Sequence, residues 1–246
     1  MAVNVLRQWL ENALELSALN EEGLHYLMGR GATRETVEKW GIKTFDAPDT
    51  PFPDERLHKH YGSHFERFEG KLAYPLYGPR GQLLGIDTRS IDQKDDDRYL
   101  LPESRWNPVW IGMIPEVMDA VYEGKDIIIV EGRFDVFPMN HIAEGRPVLG
   151  SATAHLSWAH IEFLKRWGRR DTQLPWEKHA GRGGHVYFAY DQDDTGRHGT
   201  DEGLRKLRKR GVECSEIRYG RKGDDPGTIW DRGGVEALRE HFVFSV

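Results

Sequence analysis

Acidic residues in the C-terminal half stand where a metal ion could be held. Glu131 follows the apolar run Ile127-Ile128-Ile129-Val130, Asp191, Asp193 and Asp194 follow Val186-Tyr187-Phe188-Ala189-Tyr190, and Asp224-Asp225 come after a last strand-like run, Val212 to Tyr219. If those runs are neighbouring strands, the carboxylates converge at one sheet edge, where their mutual repulsion is costly unless a cation lies among them. Hard oxygen ligands of this kind suit magnesium or manganese, which keep several waters and bind substrate phosphates. Each piece also has an ordinary reading. Glu131 could be a helix-start acid complementing the helix dipole, and Asp191-Gln192-Asp193-Asp194-Thr195-Gly196 could be a loop whose aspartates cap the next helix. Asp191, Asp193, Thr195, Gly196 and Glu202 also match positions 1, 3, 5, 6 and 12 of a calcium loop, but that loop needs a helix on both sides and His185 to Tyr190 reads as strand.

Positioning these residues calls for a sheet whose strands end together. From about residue 124 the chain alternates accordingly: strand at Asp126 to Val130, a helix-compatible stretch to His141, strand at Pro147 to Leu149, helix at Leu156 to Trp167, strand at His185 to Tyr190, helix at Arg197 to Arg210, strand at Val212 to Tyr219 and helix at Val235 to Phe242. Such alternation predicts a mainly parallel sheet flanked by helices, an α/β domain over residues 124–246 whose ligands bind beyond the carboxyl ends of the strands. Residues 1–123 read as an α+β unit. Apolar residues at helical spacing from Val5 to Leu14, a helix capped by Asn20 and another capped by Thr33 and stopped at Gly41 make a helical opening. Residues 46–55, with three prolines, read as an extended connection. Lys71 to Tyr77 and Gln82 to Ile91 flank Gly78-Pro79-Arg80-Gly81 as a hairpin, and Asp92 to Asp97 reads as an acidic loop.

Composition narrows the classes. The chain has 246 residues, 38% of them hydrophobic, enough for a real core divided between two subdomains. Lys and Arg total 34 against 40 Asp and Glu, so a net charge of -6 gives no whole-molecule attraction to phosphate, and any nucleic-acid contact must be local. Cys214 is the only cysteine, which excludes an internal disulfide or a zinc ribbon and fits a reducing cytoplasm. No run approaches the roughly 20 apolar residues that span a bilayer, and Asn4, Arg7 and Gln8 interrupt the start where a signal peptide would be apolar. A soluble, unprocessed protein without membrane contact is expected.

The combination of motifs resembles a known family. Val130-Glu131-Gly132-Arg133-Phe134-Asp135 and Tyr190-Asp191-Gln192-Asp193-Asp194-Thr195-Gly196-Arg197 are similar to the glutamate and Asp-x-Asp motifs of TOPRIM domains. Leu149-Gly150-Ser151-Ala152-Thr153-Ala154 between them, and Gly223-Asp224-Asp225-Pro226 after them, are similar to further motifs of the DnaG-type bacterial and phage primases. Tyr26 to Gly31, Trp40-Gly41-Ile42, Lys71 to Leu76, Gly81 to Gly85, Arg89, Arg98-Tyr99-Leu100 and Pro102-Glu103-Ser104 resemble the first half of that family's catalytic core in order, so the likeness covers roughly residues 24–240. It departs at Lys222 and Gly227, where the family usually has acids, and in a longer stretch from Gly168 to Gly184 that carries basic residues and could touch template or be a solvated insertion.

The resemblance implies a magnesium- or manganese-dependent enzyme that makes short RNA primers on single-stranded DNA from ribonucleoside triphosphates. It assigns Glu131, Asp191 and Asp193 to catalysis and metal binding, with Asp225 as a further ligand; Glu131 could instead be a general base. Arg30, Lys71, Arg89, Arg98 and Tyr99 are the expected nucleotide and DNA contacts, cations for phosphates and a ring for a base. Asp135, a helical turn beyond Glu131, would be an outer supporting acid or an ordinary first-turn acid. With no zinc module possible and no phosphate loop, the expectation is a stand-alone core working with a replicative helicase on another chain, in the cytoplasm, or the host cytoplasm if phage-encoded. A TOPRIM nuclease, using the same carboxylates with water as nucleophile, and a catalytically silent DNA-binding replisome module are the alternatives.

Overall fold

The computed structural model describes residues 2–46, 65–92, 96–167 and 184–242. The chain forms two compact units, Met1–Arg105 and Trp106–Val246. The expected connection at residues 46–55 and the basic stretch at 168–184 fall almost wholly outside the described residues.

In the first unit, helix α1 (Ala2–Leu16) buries Leu6, Trp9, Leu10, Ala13 and Leu14, the stripe its apolar spacing predicts. Helices α2 (Glu21–Gly29) and α3 (Arg34–Trp40) start as read from sequence: Gly23 N donates to Asn20 Oδ1 at 2.7 Å and Thr36 N to Thr33 Oγ1 at 3.0 Å. Gly41 closes α3 in the left-handed region with φ 64°, which a side chain would strain. A four-stranded antiparallel sheet follows in the order β1 (Lys43–Thr44), β2 (Leu72–Tyr77), β3 (Leu83–Arg89), β4 (Asp96–Leu100). The hairpin between β2 and β3 is the expected one. The acidic stretch is only partly a loop, because Asp96 and Asp97 pair with Arg89 and Thr88 as the first residues of β4. Alternation along these strands places Asp87, Arg89 and Arg98 on one sheet face and Ala73, Ile86 and Tyr99 on the other, where they meet α1 and the rings of Phe45, Phe65 and Phe68.

The second unit holds a four-stranded parallel sheet in the order β6 (Val148–Gly150), β5 (Ile127–Val130), β7 (Val186–Phe188), β8 (Cys214–Glu216). Ile127-Ile128-Ile129-Val130 is buried along its whole length, as an unalternating aliphatic run in the middle of a helix-covered parallel sheet must be. Helices α5 (Arg133–Asn140), α6 (Trp158–Trp167), α7 (Asp194–Arg208) and α8 (Pro226–His241) intervene between or follow the strands. The division between units lies before residue 106 and not after 123. Trp110, Met113, Met118 and Val121, the last two on helix α4 (Pro115–Tyr122), belong to the core of the parallel sheet, and Ile111 bridges to Gly150 beside β6. Each of these fully buried side chains contributes about 1.5–3 kcal/mol of apolar burial, which outweighs the chain continuity that groups 106–123 with the first half. Helix α8 begins well before the predicted Val235, because Asp225 caps it and Pro226 supplies a preset first-turn φ; it kinks at Gly233 and Gly234. Among the described residues no helix is long and apolar enough to cross a membrane.

Candidate functional site

Glu131 emerges from the end of β5 and Asp191 lies just beyond the adjacent β7, whose ladder continues through Ala189 N donating to Ile129 O at 2.8 Å. The loop before α8 is tied to the same edge: Gln192 N donates to Asp224 O at 2.8 Å and Gly223 N to Gln192 O at 2.9 Å. The sheet thus carries the four predicted acidic ligands to one end.

Their electrostatics distinguish them. Burial, then the charges of Asp135, Glu131, Asp225 and Asp193, push the Asp191 carboxyl up to about 8. Burial and then Asp193 raise that of Glu131, with His155 pulling the other way. Glu131 Oε2 and Asp191 Oδ1 are buried and accept no hydrogen bond. Asp193 and Asp225, by contrast, are helix caps as well. Asp193 Oδ1 accepts from Gly196 N at 2.7 Å at the start of α7, and Asp225 accepts from Thr228 N at 2.5 Å and Thr228 Oγ1 at 2.8 Å at the start of α8. The capping reading and the ligand reading therefore divide between residues. The calcium-loop alternative fails, because a strand and not a helix precedes Asp191. Gly196 is where a side chain cannot stand: a Cβ there would lie 2.2 Å from Asp191 O.

Asp135 is more central than its sequence position indicated. It is buried, accepts from Gly132 N at 2.8 Å and Gly227 N at 3.4 Å, and so links the first turns of α5 and α8. Burial and the Asp225 charge push its carboxyl up to about 7. Sequence spacing showed the helical turn from Glu131 but not the contact to Gly227, 92 residues away. Lys222 pairs with Asp194 at 2.8 Å at the exposed rim.

Among the described residues, no three His, Cys, Asp or Glu side chains are arranged to hold a metal ion by themselves. Two buried carboxylate oxygens without donors nevertheless fit magnesium or manganese, which commonly bind through one or two carboxylates and complete their shell with water and substrate phosphates.

The predicted phosphate and base contacts lie in the first unit. Lys71 Nζ pairs with Asp97 at 2.8 Å, and Arg98 forks onto the buried Asp87 through Nε at 3.0 Å and Nη2 at 3.3 Å. Arg89 ends β3 on the same face as Arg98. Tyr99 is on the opposite face with its ring 5.0 Å from Phe65, and Arg30 closes α2 with its guanidinium 5.7 Å above the Tyr26 ring. Arg89 and Arg98 therefore share a face that Tyr99 does not.

No protein-family model matches the chain. It is 26% identical over 192 residues to a DNA primase of Neisseria meningitidis, covering 70% of this chain and 29% of that protein. It is 26% identical over 187 residues to the DNA primase of Aquifex aeolicus, covering 72% and 33%, and 23% identical over 245 residues to that of Deinococcus radiodurans, covering 90% and 40%. The chain thus spans about a third of the length of the curated relatives it matches. Among solved structures it superposes on the RNA polymerase domain of Mycobacterium tuberculosis primase DnaG with a TM-score of 0.66 at 20% identity, covering 96% of this chain and 81% of that one. A DnaG primase catalytic domain bound to single-stranded DNA gives 0.65 at 16% identity, covering 97% and 79%. The antiparallel unit followed by the parallel one is the fold of the DnaG-type primase catalytic core.

Proposed function

We propose that this chain is the catalytic core of a DNA primase, joining ribonucleotides into short RNA primers on single-stranded DNA. The observation that carries the reading is the pair of buried, donorless carboxylate oxygens of Glu131 and Asp191 at the ends of adjacent parallel strands, in a fold shared with primase RNA polymerase domains. The reaction links a 3′ hydroxyl to the α-phosphate of a ribonucleoside triphosphate and releases pyrophosphate. Glu131 and Asp191 would hold magnesium or manganese, with Asp193 and Asp225 adding charge from positions anchored as helix caps. Bound there, the ion supplies charge neutralisation at the phosphates and acidifies the attacking hydroxyl. Asp135 holds the two helix starts that flank the site. Arg89 and Arg98 present cationic groups on one sheet face for the template backbone, with Lys71, Arg30 and Tyr99 as further contacts. A replicative helicase is the expected partner.

Incorporation of labelled ribonucleotides on single-stranded DNA, with magnesium and with manganese and with helicase supplied, tests this. Short RNA products from the natural chain, reduced at least about 100-fold in Glu131→Ala and Asp191→Ala, are expected, since each variant loses several kcal/mol of transition-state charge stabilisation. Template degradation that disappears in the same variants would make the chain a nuclease.

A further inference from the structure

Glu131 Oε2 and Asp191 Oδ1 accept no hydrogen bond, so no donor fixes either oxygen directly, and the backbone that carries the two residues is what ties them to the rest of the sheet. At that level three strand ends meet through two hydroxyls. Tyr190, the residue before Asp191, is 1% exposed and donates its hydroxyl to Ser151 Oγ at 2.8 Å. Ser151, directly after β6 and 2% exposed, offers that oxygen's own proton to Thr153 O at 2.7 Å, with Val130 O at 3.2 Å as the second acceptor, while Ser151 N donates to Val130 O at 3.0 Å. Val130 precedes Glu131. Because the sheet order is β6, β5, β7, the Tyr190 side chain reaches from the end of β7 across the end of β5 to the end of β6. Its own backbone is held in turn: Tyr190 O accepts from Tyr219 Oη and from Gln192 Nε2, each at 3.0 Å.

The backbone just past this contact is strained. Ala152 has φ 62°, a left-handed conformation that a non-glycine residue keeps only where its surroundings over-determine it. The over-determination here is Ser151, bonded on one side to Val130 and Tyr190 and on the other to Thr153.

We infer that the Tyr190–Ser151 hydroxyl pair is a positioning device that sets the distance between Glu131 and Asp191 and thereby the affinity for the divalent ion, an inference that rests on the metal-dependent reading of the site. A phenylalanine would fill the same space at Tyr190, so the hydroxyl is separable from the packing of the ring.

The test compares the natural chain with Tyr190→Phe and Ser151→Ala for manganese affinity by electron paramagnetic resonance, for thermal midpoint, and for primer synthesis as a function of nucleotide concentration. Both variants are expected to bind manganese about 10-fold more weakly, the usual scale for losing an outer-shell hydrogen bond. kcat should fall by a similar factor while KM for nucleotides and the affinity for single-stranded DNA stay unchanged. Natural manganese affinity in Tyr190→Phe overturns the inference alone. A loss of affinity that merely follows the fraction of unfolded protein overturns it in favour of a structural role. Absence of manganese binding by the natural chain, or its persistence in Asp191→Asn, overturns the metal-site reading and this inference with it.

Discussion

At the scale of single residues, the site stores unfavourable charge. The Asp191 carboxyl is raised to about 8 from an ordinary 3.8, so its ionisation works against the fold. The folded state holds the proton at pH values where the unfolded chain has lost it. Stability contributed by the protonated form is therefore given up as the pH rises from about 4 to about 8. Asp191→Asn cannot ionise and should escape that loss. In metal-free buffer its thermal midpoint is expected to match the natural chain near pH 4 and to exceed it at pH 8, by about 2–4 °C for each ~1 kcal/mol relieved in a chain of this size. Primer synthesis by the same variant should be lost. Greater stability with lost activity marks a residue kept for function; a lower midpoint at pH 8 would mean that Asp191 is a structural acid.

At the scale of elements, helix α7 decides how closely the Asp191 loop can lie against its neighbours. Gly199 stands on its buried face where a Cβ would meet Ala154 O at 1.9 Å, a backbone atom that cannot swing away. Gly203, one turn further along, faces the Phe188 ring at 2.7 Å. The helix accepts three glycines, at some cost in backbone entropy, so that the segment carrying Asp193 can approach β7 and the 151–157 loop. Gly199→Ala should cost about 1–3 kcal/mol through overpacking. Gly29→Ala is the matched comparison, since nothing lies within 4 Å of the position a Cβ would take at the end of α2; it should be neutral or stabilising by about 0.5–1 kcal/mol. Urea denaturation of the two variants checks both, and equal effects would remove the close-approach argument.

At the scale of the whole molecule, each unit has its own apolar core, and the acidic site belongs entirely to the second. Its titration should govern the pH dependence of metal-free stability. Burial holds His160 neutral, its pKa pushed down to about 4, and lowers that of His185. Both therefore add stability as the pH rises towards 6.5 and nothing further above it. Among the described residues Asp135 and Asp191, raised to about 7 and about 8, ionise as the pH climbs from about 6.5 to about 8, and their ionisation makes stability fall. The melting temperature of the metal-free chain is accordingly expected to decline from pH 6.5 to 8.5. Manganese at about 100 times its Kd adds about 2.7 kcal/mol, or roughly 5–10 °C, and the increment should shrink at pH 5.5, where the carboxyls must release protons to bind it. Differential scanning fluorimetry across that range, with and without manganese, reads both effects; a pH-independent increment would place the ion elsewhere.

Much of this was legible in the sequence, because the signals are local. Aliphatic runs followed by an acid, caps such as Asn20 and Thr33, and turn glycines act through neighbours a few residues away, so the parallel sheet, the hairpin and the convergence of Glu131, Asp191, Asp193 and Asp225 could be read from spacing. The tertiary structure alone decided which carboxylates are free. Asp193 and Asp225 bond to their own helices, Glu131 and Asp191 keep an oxygen apart, and Asp135 joins them through Gly227, because burial and contacts over 92 residues depend on how helices dock and not on sequence distance. It decided as well that residues 106–123 pack with the second unit and that Tyr99 faces a core, since strand register turns alternate side chains to opposite faces. Local chemistry determined the elements and the residue types at their ends; the packing of those elements determined which of the residues remain available for a metal ion.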